Sequence, residues 1–193
     1  LGHDYWGWRF MGWGLHYLAD LTQPYHAQAL PGVGTFKMIL MNVMDMMGRS
    51  RMKDEAIQLV SNRHMAIELL ERQLLERAYM ENDSDYLHFQ TLSSKRVIPH
   101  YMDMIPREII TKNSYSRARK LDKIIAKNFP EQLVSDPNYQ LRDFAGKNEL
   151  LDVLNNSGNP EALQNLELEL NDILTEFSIY GRSYAQSILS KTP

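Results

Sequence analysis

The apolar residues of this chain recur every three or four positions, and they never alternate with polar residues as they do in a half-buried β-strand. The pattern is clearest in two long segments, 52–81 and 160–190. The inward positions of the first are Ile57, Val60, His64, Ile67, Leu70 and Leu74, and those of the second are Leu163, Leu166, Leu170, Ile173, Phe177, Tyr180 and Tyr184. A helical period in both segments predicts an all-α fold.

Prolines and glycines separate the predicted helices from one another. We expect helices at residues 3–21, 35–48, 52–81, 84–94, 107–128, 147–156 and 160–190. The first is expected to be a buried, aromatic-rich helix that ends before Pro24, because proline disfavours helical geometry at the preceding residue. Its three tryptophans are expected to lie mostly in the core. Residues 22–34 and 129–146 are expected to be loops.

Length favours a single domain spanning residues 1–193. Within it, residues 1–81 would carry the candidate metal ligands and 82–159 would form a variable helical region. Residues 160–193 would form a long C-terminal helix. The first ten residues resemble the interior of a helix and lack the pattern of a signal peptide. We therefore expect the chain to be the C-terminal portion of a longer protein, with an upstream segment.

Composition excludes several classes of protein. The absence of cysteine excludes a disulfide framework, a thiolate zinc finger and a cysteine nucleophile. The balance of 21 basic against 24 acidic residues argues against a strong footprint for duplex nucleic acid. The basic run 117–127 is interpreted as a solvated helix face. No apolar run reaches the length that a transmembrane helix requires.

The first pattern with chemical content is His16-x3-Asp20, followed by His26 two residues after Pro24. Residues four apart lie on one face of a helix, so His16 and Asp20 can reach the same metal ion. Most isolated pairs of this kind are caps or surface contacts. A third candidate ligand at the end of the same helix favours a metal site.

The second pattern is His64-x3-Glu68, again one helical turn apart. His64 lies in an apolar stripe, so the pair is expected to point inward. Because an unpaired buried carboxylate is costly, Glu68 needs a metal or a cation such as Arg63 or Arg72. A core histidine with no ligand role is the alternative for His64. Histidine and carboxylate ligands without cysteine suit catalytic rather than structural zinc.

Together the two patterns resemble the superfamily of zinc-dependent phospholipases C and single-strand-specific nucleases. The segment 15–27, Leu-His-Tyr-Leu-Ala-Asp-Leu-Thr-Gln-Pro-Tyr-His-Ala, is similar to the most characteristic segment of that family, and the resemblance covers residues 1–75. It implies an all-helical fold with a cleft for up to three zinc ions. Such a cleft hydrolyses phosphodiesters with a metal-bound hydroxide, and the resemblance also implies a secreted or periplasmic protein.

The resemblance assigns a role to each candidate ligand. It implies that His26, His64 and Glu68 hold one zinc, the only complete site within this chain. It implies that His16 helps to hold a second zinc and that the catalytic Asp20 bridges the second to a third. The remaining ligands would come from the upstream segment, so the chain alone is expected to hydrolyse phosphodiesters poorly.

The interval between His26 and His64 is longer than in the family, so the methionine-rich helix 35–48 would be an insertion near the cleft mouth. Its flexible apolar side chains favour a phospholipid head group as the substrate, unless they belong to the core. The alternatives are a nuclease acting on single-stranded nucleic acid with the same metals, and a non-catalytic helical domain stapled by a metal.

Overall fold

Helices form the whole regular structure of the computed structural model, which describes residues 3–82, 87–93, 96–157 and 160–190. Nine α-helices are found in this part of the chain: α1 (Asp4–Thr22), α2 (Pro24–Ala27), α3 (Thr35–Met46), α4 (Arg51–Met80), α5 (Leu87–Ser93), α6 (Thr111–Asn128), α7 (Glu131–Ser135), α8 (Leu150–Asn155) and α9 (Pro160–Leu189). No strand occurs among the described residues, which confirms the predicted all-α class. Of the predicted helix 84–94, residues 84–86 and 94 lie outside the described part.

The main core lies where α4 meets α6, α8 and α9. Each helix contributes leucine or isoleucine side chains that are almost fully buried: Ile67, Leu70 and Leu74 from α4, Leu121 and Ile125 from α6, Leu150 and Leu154 from α8, and Leu166, Leu170 and Ile173 from α9. Their three- and four-residue spacing within each helix explains why the helical period was readable in the sequence. A smaller core joins Leu18 of α1 to Ile105 and Ile110.

The prediction that α1 is a buried helix with tryptophans in the core is wrong. The buried or half-buried side of α1 consists of small and aliphatic residues such as Gly14, Leu15 and Leu18, and this side packs against α9. The aromatic residues lie on the remaining surface of the helix, where about half or more of each side chain is exposed: Tyr5, Trp6, Trp8, Phe10, Trp13 and Tyr17. The high aromatic content of α1 therefore does not indicate that the helix is buried.

The contact between α1 and α9 is closest at Gly14. A Cβ atom at this position would lie 2.0 Å from the Tyr184 hydroxyl oxygen, so only glycine fits beside that ring. Tyr184 also packs edge-on against Tyr101, with ring centroids 5.3 Å apart, which limits its freedom to move away. A small residue therefore allows the two helices to approach each other here.

The prediction that residues 129–146 form a loop without helix is wrong in part. This stretch contains α7 and a 3-10 turn, Leu141–Asp143. Pro130 stands at the N-cap of α7, where its missing N–H costs nothing, and Leu133 and Val134 of α7 are buried. The first five residues of the predicted helix 107–128 are instead largely a π-helical turn, Pro106–Ile110.

The basic run of α6 is not simply a solvated face. Arg117 forms an ion pair with the buried Glu176, and Lys120 forms one with the buried Glu169, both on α9. Asp122, between the cations of this run, is buried as well. Within the described residues, no helix is both long and apolar enough to cross a membrane.

Candidate metal centre

The chain turn between α1 and α2 brings His26 to the surface of α4. Gln23 is extended, with φ −79° and ψ 120°, and Pro24 starts α2. This is the geometry expected of a residue that precedes proline. The prediction that residues 22–34 form a loop is therefore wrong in part, because the stretch contains the short helix α2. This helix carries Tyr25 inward and His26 outward, next to His64 and Glu68 of α4.

Three of the five predicted ligands converge on one point. The Nε2 atom of His64 lies 3.2 Å from the Nε2 atom of His26 and 2.8 Å from Oε1 of Glu68. His26 Nε2 lies 3.3 Å from the same carboxylate oxygen. Histidine, cysteine, aspartate and glutamate are the side chains that most often bind metals. Among the described residues, this is the only group of three or more of them whose ligand atoms all lie within 4.8 Å of one another.

The spacing of these three atoms fits a zinc ion. Ligands at the usual zinc distances in a tetrahedral arrangement are about 3.3 Å apart, because zinc binds nitrogen and oxygen at about 2.0–2.2 Å. The two distances from His26 match this separation between ligands. The distance between His64 Nε2 and Glu68 Oε1 is shorter than it by about half an ångström. Two imidazole rings that meet edge to face, at 88°, allow both nitrogens to point inward.

The cluster lies at the surface rather than in the core, contrary to the expectation for His64 and Glu68. The exposed fractions of the side chains are 35% for His26, 25% for His64 and 44% for Glu68. The cost of burying Glu68 therefore does not argue for a metal. Its candidate cation partners are occupied elsewhere, since Arg63 binds Asp122 and Arg72 pairs with Glu76.

The histidines favour the ionised form of Glu68. Hydrogen bonding to His64, with a smaller effect from His26, lowers the pKa of the Glu68 carboxyl below its usual value. The carboxylate is therefore ionised at neutral pH, which is the form that binds a metal.

The other two predicted ligands, His16 and Asp20, form a separate pair on α1. His16 Nε2 lies 3.5 Å from Oδ2 of Asp20, and the His16 side chain is 72% exposed. No third described ligand completes this pair. Asp20 nevertheless lines the same cleft as Glu68, a hollow of about 320 Å³ between α1, α4 and α9.

The wall of this cleft contains an acidic group that sequence reasoning missed. Glu71 lies one turn beyond Glu68, and its Oε2 accepts a 2.6 Å hydrogen bond from Nε2 of Gln23. Burial raises the pKa of the Glu71 carboxyl to about 7. A second glutamate three positions after a candidate ligand is the only sequence signal that pointed to it.

A buried network behind the histidines was also missed. The Tyr25 ring lies parallel to the His64 ring, with centroids 5.3 Å apart and an interplanar angle of 6°. The Tyr25 hydroxyl donates a 3.0 Å hydrogen bond to Asp122, and Arg63 binds the same carboxylate. Burial, together with Asp122, raises the pKa of Tyr25, so its hydroxyl remains a donor.

The remaining described histidines lie outside this cluster. His88 is buried in α5, and burial lowers its pKa to about 4, whereas His100 is exposed.

No protein-family model, curated protein or solved structure matches the chain. The resemblance to zinc-dependent phospholipases and nucleases therefore rests on the residue pattern alone.

Proposed function

We propose that the protein is a zinc-dependent phosphodiester hydrolase of the phospholipase C type. The observation that carries the proposal is the convergence of the His26, His64 and Glu68 ligand atoms, which lie 2.8–3.3 Å from one another. Three protein ligands with a fourth position open to solvent are typical of catalytic zinc sites, whereas structural sites are closed by four. The partial exposure of all three side chains leaves that position accessible to water and substrate.

Zinc at this position would polarise a phosphoryl oxygen and lower the pKa of a bound water to about 7. The residues of the chain hold and surround the reacting group. Glu68 and Asp20 line one cleft, so a phosphate ester in that cleft would lie between one ligand of the triad and Asp20. Asp20 is the proposed catalytic carboxylate, and with His16 it supplies two ligands toward a further cation.

The exposed face of α3 favours a phospholipid over other phosphodiesters. Met41 is the buried contact of this helix, and the opposite face presents large apolar side chains to solvent: Phe36, Ile39, Leu40, Val43, Met46 and Met47. Met46 and Met47 are therefore surface residues, whereas Met41 belongs to the core. Flexible apolar side chains on a surface can adapt to acyl chains.

The surface of α1 favours the alternative substrate, single-stranded nucleic acid. Trp6, Phe10 and Trp13 form a row of exposed rings on the helix that carries His16. The Arg9 guanidinium lies over both tryptophans, 5.5 Å and 5.1 Å from their ring centres. Aromatic rings interleaved with arginine are typical of platforms on which bases stack. A third possibility is a non-catalytic zinc staple, since the triad joins α2 to α4.

Hydrolysis of a phosphocholine ester and of single-stranded DNA, with and without added zinc, tests the proposal. We expect slow turnover of the phosphocholine ester, because the second cation position has only two ligands and zinc needs about three. A chelator and His26→Ala should abolish it. His100→Ala is the control, since this histidine is exposed and is not a member of the cluster.

Each outcome has a separate meaning. Faster turnover of DNA than of the phosphocholine ester would replace the phospholipase by the nuclease. Tight zinc binding without hydrolysis of either ester would favour the zinc staple. Turnover that is insensitive to chelator and to His26→Ala would contradict a metal-dependent reaction at this site.

A further inference from the structure

The two histidines of the metal centre come from separate elements, so their spacing depends on how α2 and α4 are joined. His26 lies on α2 and His64 lies on α4, 38 residues later in the chain. Metal affinity falls steeply when ligands must be reorganised before binding, because the metal demands defined distances and angles. The contacts that hold α2 against α4 therefore determine the metal affinity of the site.

One buried carboxylate binds the chain neighbours of both histidines. Asp122 of α6 accepts a hydrogen bond from the hydroxyl of Tyr25, which precedes His26. It also accepts two hydrogen bonds from Nη1 of Arg63, which precedes His64, at 3.0 and 3.1 Å. Both residues next to the ligands are thus tied to the same group.

The Asp122 network is rigid as well as shared. Only 4% of the Asp122 side chain is exposed, and Arg63 also donates to the Val134 carbonyl of α7. A buried charge pair with its hydrogen bonds satisfied is difficult to break, since removing one partner leaves an uncompensated charge. The carboxylate therefore connects α2, α4, α6 and α7 at one point.

Tyr25 transmits this constraint to the ligand itself. Its ring lies flat against the His64 ring, at an interplanar angle of 6°. The hydroxyl at the far end of the same ring is held by Asp122 at 3.0 Å. Because the Tyr25 hydroxyl is hydrogen-bonded and the Tyr25 ring is stacked on the His64 ring, rotation of the His64 imidazole is restricted.

The loop after α2 leaves room for the carboxylate. Gly32 has φ +80°, a conformation that favours glycine, and a Cβ atom there would lie 1.9 Å from Oδ2 of Asp122. Any other residue at position 32 would displace Asp122 or the loop. The backbone at this position is thus adapted to the network behind the metal centre.

We propose that Asp122 is a positioning residue of the metal centre, which sets the distance between His26 and His64 through Arg63 and Tyr25. This inference rests on the proposed metal site and goes beyond it, since Asp122 touches neither the metal nor a substrate. Residues behind metal ligands typically change metal affinity by about 10–100-fold when they are replaced.

The experiment measures zinc affinity by competition with a chromophoric chelator, and the visible spectrum of the Co²⁺ form, for the wild type and three variants. We expect Asp122→Asn to weaken zinc binding by about 10–100-fold and to change the Co²⁺ spectrum, which reports ligand geometry. Tyr25→Phe keeps the ring against His64 and loses one hydrogen bond, so its zinc affinity should fall by about 2- to 10-fold. This milder variant keeps the test valid if Asp122→Asn does not fold.

The control is Glu176→Gln, which alters a buried carboxylate that binds Asn113 and Arg117 away from the site. It should lower stability without changing zinc affinity or the Co²⁺ spectrum. Wild-type affinity and spectrum in folded Asp122→Asn, or in Tyr25→Phe if only that variant folds, would overturn the positioning role. Failure of the wild type to bind zinc or Co²⁺ would instead overturn the metal site itself.

Discussion

At the scale of single residues, two neighbouring glutamates of the cleft have opposite pKa shifts because their surroundings differ. Glu68 and Glu71 are one turn apart on α4, yet hydrogen bonding to histidine lowers the pKa of Glu68 while burial raises that of Glu71 to about 7. The first is therefore ionised at neutral pH, as the proposed metal site requires. The second holds Gln23, at the turn that leads to His26, and is protonated in weakly acidic solution.

Glu71 makes the stability of the metal-free protein depend on pH. A carboxyl whose pKa is higher in the folded state than in the unfolded state stabilises the fold below the unfolded value, about 4.5, and this contribution is lost as the pH rises toward 7. The free energy of unfolding of Glu71→Gln, minus that of the wild type, should therefore rise by about 2–3 kcal/mol between pH 4.5 and 8.

Urea unfolding in the presence of a chelator, at several pH values, measures this difference. Glu76→Gln, on the exposed face of the same helix, is the matched control for the loss of a glutamate. A flat difference for Glu71→Gln across this range would mean that Glu71 is ionised normally in the folded protein.

At the scale of helices, Gly12 and Gly14 of α1 differ in how closely α9 approaches them. A Cβ atom at Gly12 would meet nothing within 4 Å, whereas at Gly14 it would overlap the Tyr184 hydroxyl. Gly12→Ala should stabilise the protein by up to about 1 kcal/mol through helix propensity. Gly14→Ala should destabilise it by about 1–3 kcal/mol through overpacking. Chemical denaturation of both variants measures these values, and an equal gain in both would contradict the close contact.

The helices were largely predictable because burial follows a period that the sequence displays. The predicted segments 52–81 and 160–190 became Arg51–Met80 and Pro160–Leu189, since their stripes of leucine and isoleucine form the core. The burial of the aromatic residues was not predictable in this way, because tryptophan occurs both in protein cores and on protein surfaces. The α1 tryptophans therefore appeared buried in the sequence although they are exposed.

The candidate site was partly predictable for a related reason. Local spacing showed which residues share one turn of a helix, so the pairs His16–Asp20 and His64–Glu68 were readable. Which pair His26 joins depends on the packing of α2 against α4, and geometry alone left that open. Asp122 was hidden because it lies among lysines and arginines, where a carboxylate resembles an ordinary surface residue.

At the scale of the whole molecule, three helices each contribute one part of a candidate reaction centre. The helix α4 provides His64 and Glu68, α2 provides His26, and α1 provides Asp20, which lines the same cleft as Glu68. The apolar surfaces of α1 and α3 are exposed. The proposed function depends on a single claim, that the triad binds a metal.

Calorimetric titration of zinc into the wild type, His64→Ala and His16→Ala tests that claim most directly. We predict one tightly bound zinc per chain in the wild type, because only the triad offers three ligands among the described residues. His64→Ala should weaken this binding by more than about 100-fold, whereas His16→Ala should leave it unchanged. No stoichiometric binding by the wild type, or equal losses in the two variants, would contradict the account.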